Sequence, residues 1–336
     1  MQHTQQRLSA SLAAALLSGI MLLAGPGARA TCGSSYCFLD RGTSEGQLVK
    51  GAFTVDVSYQ FINQTDRRAG THGIDEVLTP NISFEEGEIE LDHHREIGTD
   101  NTLIAVNVGY GITDRVMLTV DLPLVNERQH DHFDEVGEPS EFFTRDDGSS
   151  GFGDLRVGVR FGLLTGKKHR FSGDLGIKFA TGSFKERNSE GDINEPSIQP
   201  GTGSTDAIVG LRWSAQVKPH TLNTFVSATQ KFNGENDLDY TFGDEMVISA
   251  GFLHQASDRW TWSLQVNARH TERDEFLDER VPSTGSDLVN LSPGLRFTTD
   301  RGTQIYAHYQ YPVYQDVNEA QLTPRSGILV GLSRTF

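Results

Sequence analysis

Two short runs of this chain concentrate imidazole and carboxylate groups. They are Asp92-His93-His94 with Glu96, and His130-Asp131-His132 with Asp134. Such donors suit Zn²⁺, Ni²⁺ or Cu²⁺, and in extended backbone His130 and His132 share one face. His93, His94, His130, His132 and Asp134 are therefore the candidate metal ligands. A tight site draws ligands from separate segments and supports them with further hydrogen bonds. A solvated polar loop has the same composition, and composition alone favours that plainer reading. Cys32 and Cys37, the two cysteines of the chain, are spaced for a small disulfide loop in an oxidising compartment; a thiol metal site or a redox contact is the alternative. No nucleophile stands beside a base as covalent catalysis requires. There is no phosphate-cradling glycine motif and no basic nucleic-acid patch. The expectation is a protein that is not an enzyme, holds no cofactor and does not bind nucleic acid.

The elements that must carry these residues are strands. No amphipathic period of 3.6 residues runs through the chain; short alternating segments recur between turn residues instead. In 48–62, Phe53, Val55, Val57, Tyr59 and Phe61 face one way, and Thr54, Asp56, Ser58 and Gln60 the other. A hairpin follows at 102–111 and 116–126. Further strands begin near Asp154, Arg170, Thr205, Leu222, Glu245, Trp260, Asp287, Thr303 and Arg325. About twelve strands are expected, with ten or fourteen as alternatives. Connections alternate between short ones (112–115, 165–169, 217–220, 256–258, 299–302) and long, charged ones (63–101, 127–153, 182–204, 233–244, 272–286, 315–323). That asymmetry is the signature of a transmembrane antiparallel β-barrel with short periplasmic turns and long extracellular loops.

Both ends of the chain fit this reading. The stretch 327–336 (GILVGLSRTF) resembles the closing strand of a bacterial outer-membrane barrel, apolar outward, small and polar inward, and ending on Phe336. The resemblance implies that Phe336 belongs to the signal read by the barrel-assembly machinery; Arg334 departs from the usual apolar residue there. Residues 1–30 read as a cleaved export signal, with Arg7, an apolar stretch too short to span a bilayer, and Ala28-Arg29-Ala30. The organisation expected is a signal peptide at 1–30, a periplasmic segment with the Cys pair at 31–47, and an outer-membrane barrel at 48–336, with both termini periplasmic. Most of the net charge of -16 comes from the long loops, which suits solubility and cation bridging to lipopolysaccharide at the outer-membrane lipid surface.

Strand parity sends a set of charges to the inner face, because an ionised group against lipid costs about 2–4 kcal/mol. The lumen-lining set is Asp56, Asp121, Arg156, Arg160, Asp174, Lys178, Arg212, Lys231, Arg269, Arg296 and His308. Basic groups outnumber acidic ones, with Asp174 alone close enough to Arg160, Lys178 and Arg212 to neutralise them. One outcome is a polar conduit that favours anions; the other is an interior salt-bridge network that plugs a narrow barrel.

The recurrent hairpins carry a family resemblance. The stretches 109–115 (GYGITDR), 118–123 (LTVDLP), 151–158 (GFGDLRVG), 179–182 (FATG) and 201–206 (GTGSTD) resemble, in the same order, an outer-membrane family associated with the meta-cleavage pathway of phenol degradation. That resemblance implies a barrel that moves small molecules, often aromatic compounds, across the outer membrane. A non-conducting barrel acting as a structural element, a receptor or the sleeve of a metal- or redox-export complex is the alternative.

Overall fold

A strand whose alternate residues are apolar and polar must bury one set, and here the buried set is the polar one. Phe53, Val57 and Tyr59 are exposed, whereas Asp56, Ser58 and Gln60 between and beyond them are buried. Leu175, Leu211, Leu295 and Leu332 are each at least half exposed, while Asn267 and Ser292 are fully enclosed. This is the inverse of a water-soluble fold, and it requires the polar faces to close on one another.

The computed structural model, which describes residues 49–336 apart from 146–147, 167, 189–190 and 220, closes them into a barrel. Its long strands are β1 (Phe53–Gly70), β2 (Glu88–Thr113), β3 (Val116–Asp134), β4 (Arg156–Thr165), β5 (His169–Lys178), β6 (Asp206–Lys218), β7 (Leu222–Phe232), β8 (Glu245–Gln255), β9 (Trp260–Thr271), β10 (Ser286–Thr298) and β11 (Gln304–Thr335). Each pairs antiparallel with its neighbour in sequence, and the ring is closed by β1 against β11. At the seam Phe336 and Phe53 exchange two backbone hydrogen bonds of 2.8 and 3.2 Å. The first half of β11 pairs with β10 from Gln304 to Val317. The second half pairs with β1 from Val317 to Thr335. Among the described residues the one helical piece is the 3-10 turn Pro196–Ile198, and no helix is long and apolar enough to cross a membrane.

The strand starts expected from alternation agree with the structure to within two residues from Arg156 to Gln304. The start expected near Arg325 is not seen, because β11 runs unbroken from Gln304 to Thr335 through the connection expected at 315–323, so eleven long strands stand where about twelve were expected. The export signal at 1–30, the segment at 31–47 and the Cys32–Cys37 pair lie outside the described residues. Two further connections are corrected. The connections at 63–101 and 127–153 are not simple loops: β1 runs on to Gly70, β2 begins at Glu88 and β3 continues to Asp134. The polar sequences there form ladders with one another, such as Thr99↔His130 and Glu96↔His132, so their backbone groups are paired without an apolar face to announce the strand.

Bulges then change which residues face inward. On β3 the register shifts opposite Ile104/Ala105, where Pro123 and Val125 are the partners and Leu124 is the extra residue. Below it Met117 and Pro123 face in; above it Asn126, Arg128, His130 and His132 do. An inserted residue has this effect because side chains alternate with period two. On β2 the shift between Glu96 and Gly98 likewise turns His94 and Glu96 inward above Thr99 and Asn101.

The mouth is covered by the long connections. The segment at 179–205 folds over the rim with Pro200, Ile198 and Ser204 buried. Its neck is a backbone crossing at Gly182 and Gly201, where a Cβ on Gly201 would lie 2.6 Å from Gly182 backbone atoms. Beside it, Ile82, Tyr240, Phe242, Phe276 and Val281 form a small apolar core over the opening, with Phe84 and Ile89 against it.

Candidate functional site in the lumen and mouth

Several inward charges of the barrel wall have partners on other strands. Arg160 on β4 donates to both carboxylate oxygens of Asp174 on β5, at 2.6 and 3.2 Å. Arg269 on β9 lies 2.8 Å from Glu245 on β8. Asp56 on β1 accepts from the Tyr306 hydroxyl at 2.9 and 3.0 Å. Gly331 makes room for that ring, because a Cβ there would collide with Tyr306 Oη. Arg212 stacks its guanidinium 4.8 Å over the Phe225 ring. Asp121, Arg156 and Arg296 are half-buried, while Lys231 and His308 are buried.

Lys178 corrects the expectation of an uncompensated basic wall. It is 2% exposed, and its Nζ lies 3.0 Å from Asp154 and 2.8 Å from Asp206. Asp154 in turn accepts the backbone N–H groups of Thr181, Gly182 and Thr202 at 3.2, 2.9 and 2.9 Å. Two carboxylates from the ends of strands therefore hold one lysine and, through it, the covering segment. Neither was recognisable as inward from alternation, since Asp154 precedes β4 and Asp206 opens β6. At mid-height Asn267 donates to Ser249 at 2.9 Å and accepts from Ser292 at 2.7 Å. Side chains of β8, β9 and β10 thus line that wall as a neutral hydrogen-bonded ladder.

At the mouth the structure brings together the two histidine runs that are 36 residues apart in sequence. His94 Nε2 is 3.0 Å from Asp134 Oδ1, and His132 Nε2 is 2.7 Å from the same oxygen. His130 stacks on His132 with ring centroids 4.7 Å apart. It lies 3.2 Å from Glu96 through Nε2 and 2.9 Å from Thr99 Oγ1 through Nδ1. The Nε2 contact is an ion-pair distance off the hydrogen-bond line, because that atom has no aligned partner. His93 packs edge-on against His94 at 4.7 Å. A residue missed in the sequence completes the group: Glu195, next to the 3-10 turn of the covering segment, lies 2.6 Å from His94 Nδ1. No local pattern marks it, since the fold alone carries it to the hairpin.

The electrostatics of this group follow from its burial and pairing. Burial by itself would push the His94 imidazolium down, but hydrogen bonds to Asp134 and Glu195 outweigh it and raise the group to about 10. His132 moves up in the same way, against its burial, through Asp134. Asp134 and Glu195 are held well below the ordinary carboxylate range by the facing imidazoles, although burial opposes this. His93 moves down, by burial and by the charge of His94.

A closed barrel with an apolar exterior, a charged and hydrogen-bonded interior and a covered mouth is suited to pass or hold a solute. The model of the family described as "Putative MetA-pathway of phenol degradation" matches residues 68–318. The chain belongs to that family. None of the curated proteins compared with it matches in sequence. Among solved structures, the COG4313 outer membrane channel from Pseudomonas putida F1 superposes with a TM-score of 0.62 at 11% identity, over 89% of this chain and 100% of that one. The likeness at this identity is one of fold: an all-β, closed antiparallel barrel. The NanC porin gives a TM-score of 0.42 at 10% identity, covering 83% of this chain and 98% of its own. The Ralstonia pickettii toluene transporter TbuX gives 0.42 at 11%, covering 93% and 98%.

Proposed function

We propose that this protein is an outer-membrane channel for small solutes, with small aromatic compounds and their anions as the substrate class. The observation that carries the proposal is the inverted barrel, apolar outside and polar inside, within a family described by phenol degradation. Exposed leucines on successive strands are stable only against lipid, so the barrel spans a membrane, and export delivers it to the outer one. The Pseudomonas putida protein that shares this fold is an outer membrane channel, which accords with the reading. The aromatic residues over the mouth and the inward arginines suit a ring that carries a hydroxyl or carboxylate.

In the same reading β11 crosses the membrane twice. A straight strand of its 32 residues would extend for roughly 100 Å, far beyond any bilayer. Its two halves pair with β10 and β1 in opposite directions, and Glu319 has a left-handed φ of 46° at the point of reversal. The barrel then has twelve crossings, with both ends of the described chain at the short-turn rim, which is the periplasmic one. Phe336 serves there as the assembly signal, and Cys32 and Cys37 form a disulfide on the periplasmic side. Outer-membrane lipid and lipopolysaccharide surround the acidic outer rim. The inward residues, from Asp56 on β1 round to His308 on β11, line the path.

Proteoliposome swelling tests the proposal, with phenol, benzoate and a sugar of similar mass as solutes. Faster entry of the aromatic solutes than into protein-free vesicles supports it. No entry of any solute, from protein that migrates as a folded barrel, overturns it in favour of a non-conducting barrel.

A further inference from the structure

Two imidazoles in the mouth aim at one oxygen. The Nε2 atoms of His94 and His132 lie 3.0 and 2.7 Å from Asp134 Oδ1, so three donor atoms from both arms of the β2–β3 hairpin converge on a point. Zn²⁺ holds nitrogen and oxygen ligands at about 2.0–2.2 Å in a tetrahedron, which spaces the ligand atoms roughly 3.3 Å apart. The two N···O separations need to widen by only a few tenths of an ångström, and the two imidazoles must turn their Nε2 atoms towards each other, to admit an ion. His93 offers a fourth donor, since ring nitrogens of His93 and His94 and an Asp134 oxygen all lie within 4.8 Å of one another.

The surroundings are those of a metal site. A ligating histidine characteristically passes its other ring N–H to a carboxylate, and ligating carboxylates are themselves hydrogen-bonded. Here His94 Nδ1 is 2.6 Å from Glu195, and the second oxygen of Asp134 accepts from Thr144 Oγ1 at 2.5 Å. An independent observation points to a missing partner. His132 is 3% exposed, yet its Nδ1, like that of His93, is buried without a hydrogen-bond partner. Buried polar atoms are nearly always satisfied. Asp134 keeps a proton on His132 Nε2 while no ion is bound; an ion displaces that proton, and the unpaired Nδ1 is left to carry the one remaining ring proton.

Charge points the same way. A cavity of about 310 Å³ opens beside the cluster, lined by seven carboxylate residues and three histidines, with no Lys or Arg among its described lining residues. A concave acidic wall concentrates cations, so the cavity forms an approach from outside to the imidazoles. A purely salt-bridged cluster has no need of that vestibule.

We propose that His94, His132 and Asp134, completed by His93, bind a divalent transition metal ion, with Zn²⁺ the ion that the mixed imidazole and carboxylate donors suit best. Glu195 and Thr144 orient the ligands from outside. Bound there, the ion cross-links the extended hairpin and, through Glu195, the segment that covers the mouth. The site stands on its own donor geometry and does not require that the barrel conduct.

The test uses full-length protein in detergent, free of a histidine tag, with thiols alkylated and metals removed by chelator. Zn²⁺ is titrated by equilibrium dialysis with elemental analysis, and Co²⁺ serves as a spectroscopic probe of the coordination. One saturable Zn²⁺ per chain and a tetrahedral Co²⁺ spectrum are expected. His132→Gln and Asp134→Asn should each weaken binding at least tenfold, while His254→Gln on the outer face leaves it unchanged. Heat-modifiable migration checks that every variant is assembled. If His132→Gln does not assemble, Asp134→Asn, which exchanges one oxygen for an amide, decides. Sub-stoichiometric binding to the wild type, or equal affinity in the variants and the wild type, overturns the proposal.

Discussion

Lys178→Met should release the segment that covers the mouth. In the wild type one ammonium is shared by Asp154 and Asp206, at 3.0 and 2.8 Å, so the two carboxylate oxygens it contacts are at most about 6 Å apart by geometry. Asp206 is fully buried and Asp154 nearly so. Without the lysine, two like charges at that separation repel by about 3 kcal/mol at an effective dielectric of 20. That agrees with the roughly 3–5 kcal/mol lost when one partner of a buried ion pair is removed. Asp154 is also the acceptor for Thr181, Gly182 and Thr202, so the strain falls on both ends of 179–205. Amide hydrogen exchange at neutral pH reads this directly. Protection of those three amides should fall by two orders of magnitude or more, since about 1.4 kcal/mol is a factor of ten. Exchange in β8 and β9 should be unaffected. Adding Asp206→Asn to Lys178→Met removes the second charge and should restore most of the protection. Unchanged protection in the single variant, or further loss in the double one, would refute the reasoning.

Four other perturbations probe different parts of the fold. Deleting Phe336 removes its two backbone hydrogen bonds with Phe53 and should sharply lower the yield of heat-modifiable barrel in membranes. Phe276→Ala leaves a hole in the apolar core over the mouth that costs about 3–5 kcal/mol; it should speed proteolysis of the 272–286 connection while the melting of the barrel stays within a few degrees. Asp174→Asn leaves Arg160 without its bidentate partner, so the reversal potential in a KCl gradient should move towards chloride. An unchanged potential would place that pair away from the conducting path. Alkylation mass spectrometry without reductant should find Cys32 and Cys37 unmodified and joined, and two alkylated thiols would contradict the disulfide.

The wall of the barrel was legible because lipid and water impose opposite demands on alternate residues. Tyr59 and Leu332 declare one face, Ser58 and Gly331 the other, and short polar turns such as 112–115 mark the reversals. The rim was less legible. Between Arg128 and His132 both faces are polar, and between His94 and Thr99 Ile97 is the one apolar side chain, so alternation gives no sign that β2 and β3 continue as strands. Leu124 and the Glu96–Gly98 shift then reverse the parity on which any inward assignment depends. The two histidine runs were visible as ligand types. Their meeting, and the arrival of Glu195 from 61 residues beyond Asp134, depend on long-range pairing that no local spacing encodes. The neutralisation of Lys178 was hidden for a similar reason, because Asp154 and Asp206 sit at strand ends where the period-two rule lapses.

Single-channel recording in a planar bilayer tests the central claim most directly. The account predicts discrete, small conductance steps from the purified wild type, and larger or longer openings from Lys178→Met, in which the covering segment is freed. A silent bilayer with both proteins, each verified as an assembled barrel, would contradict it and leave a barrel whose interior network is a plug.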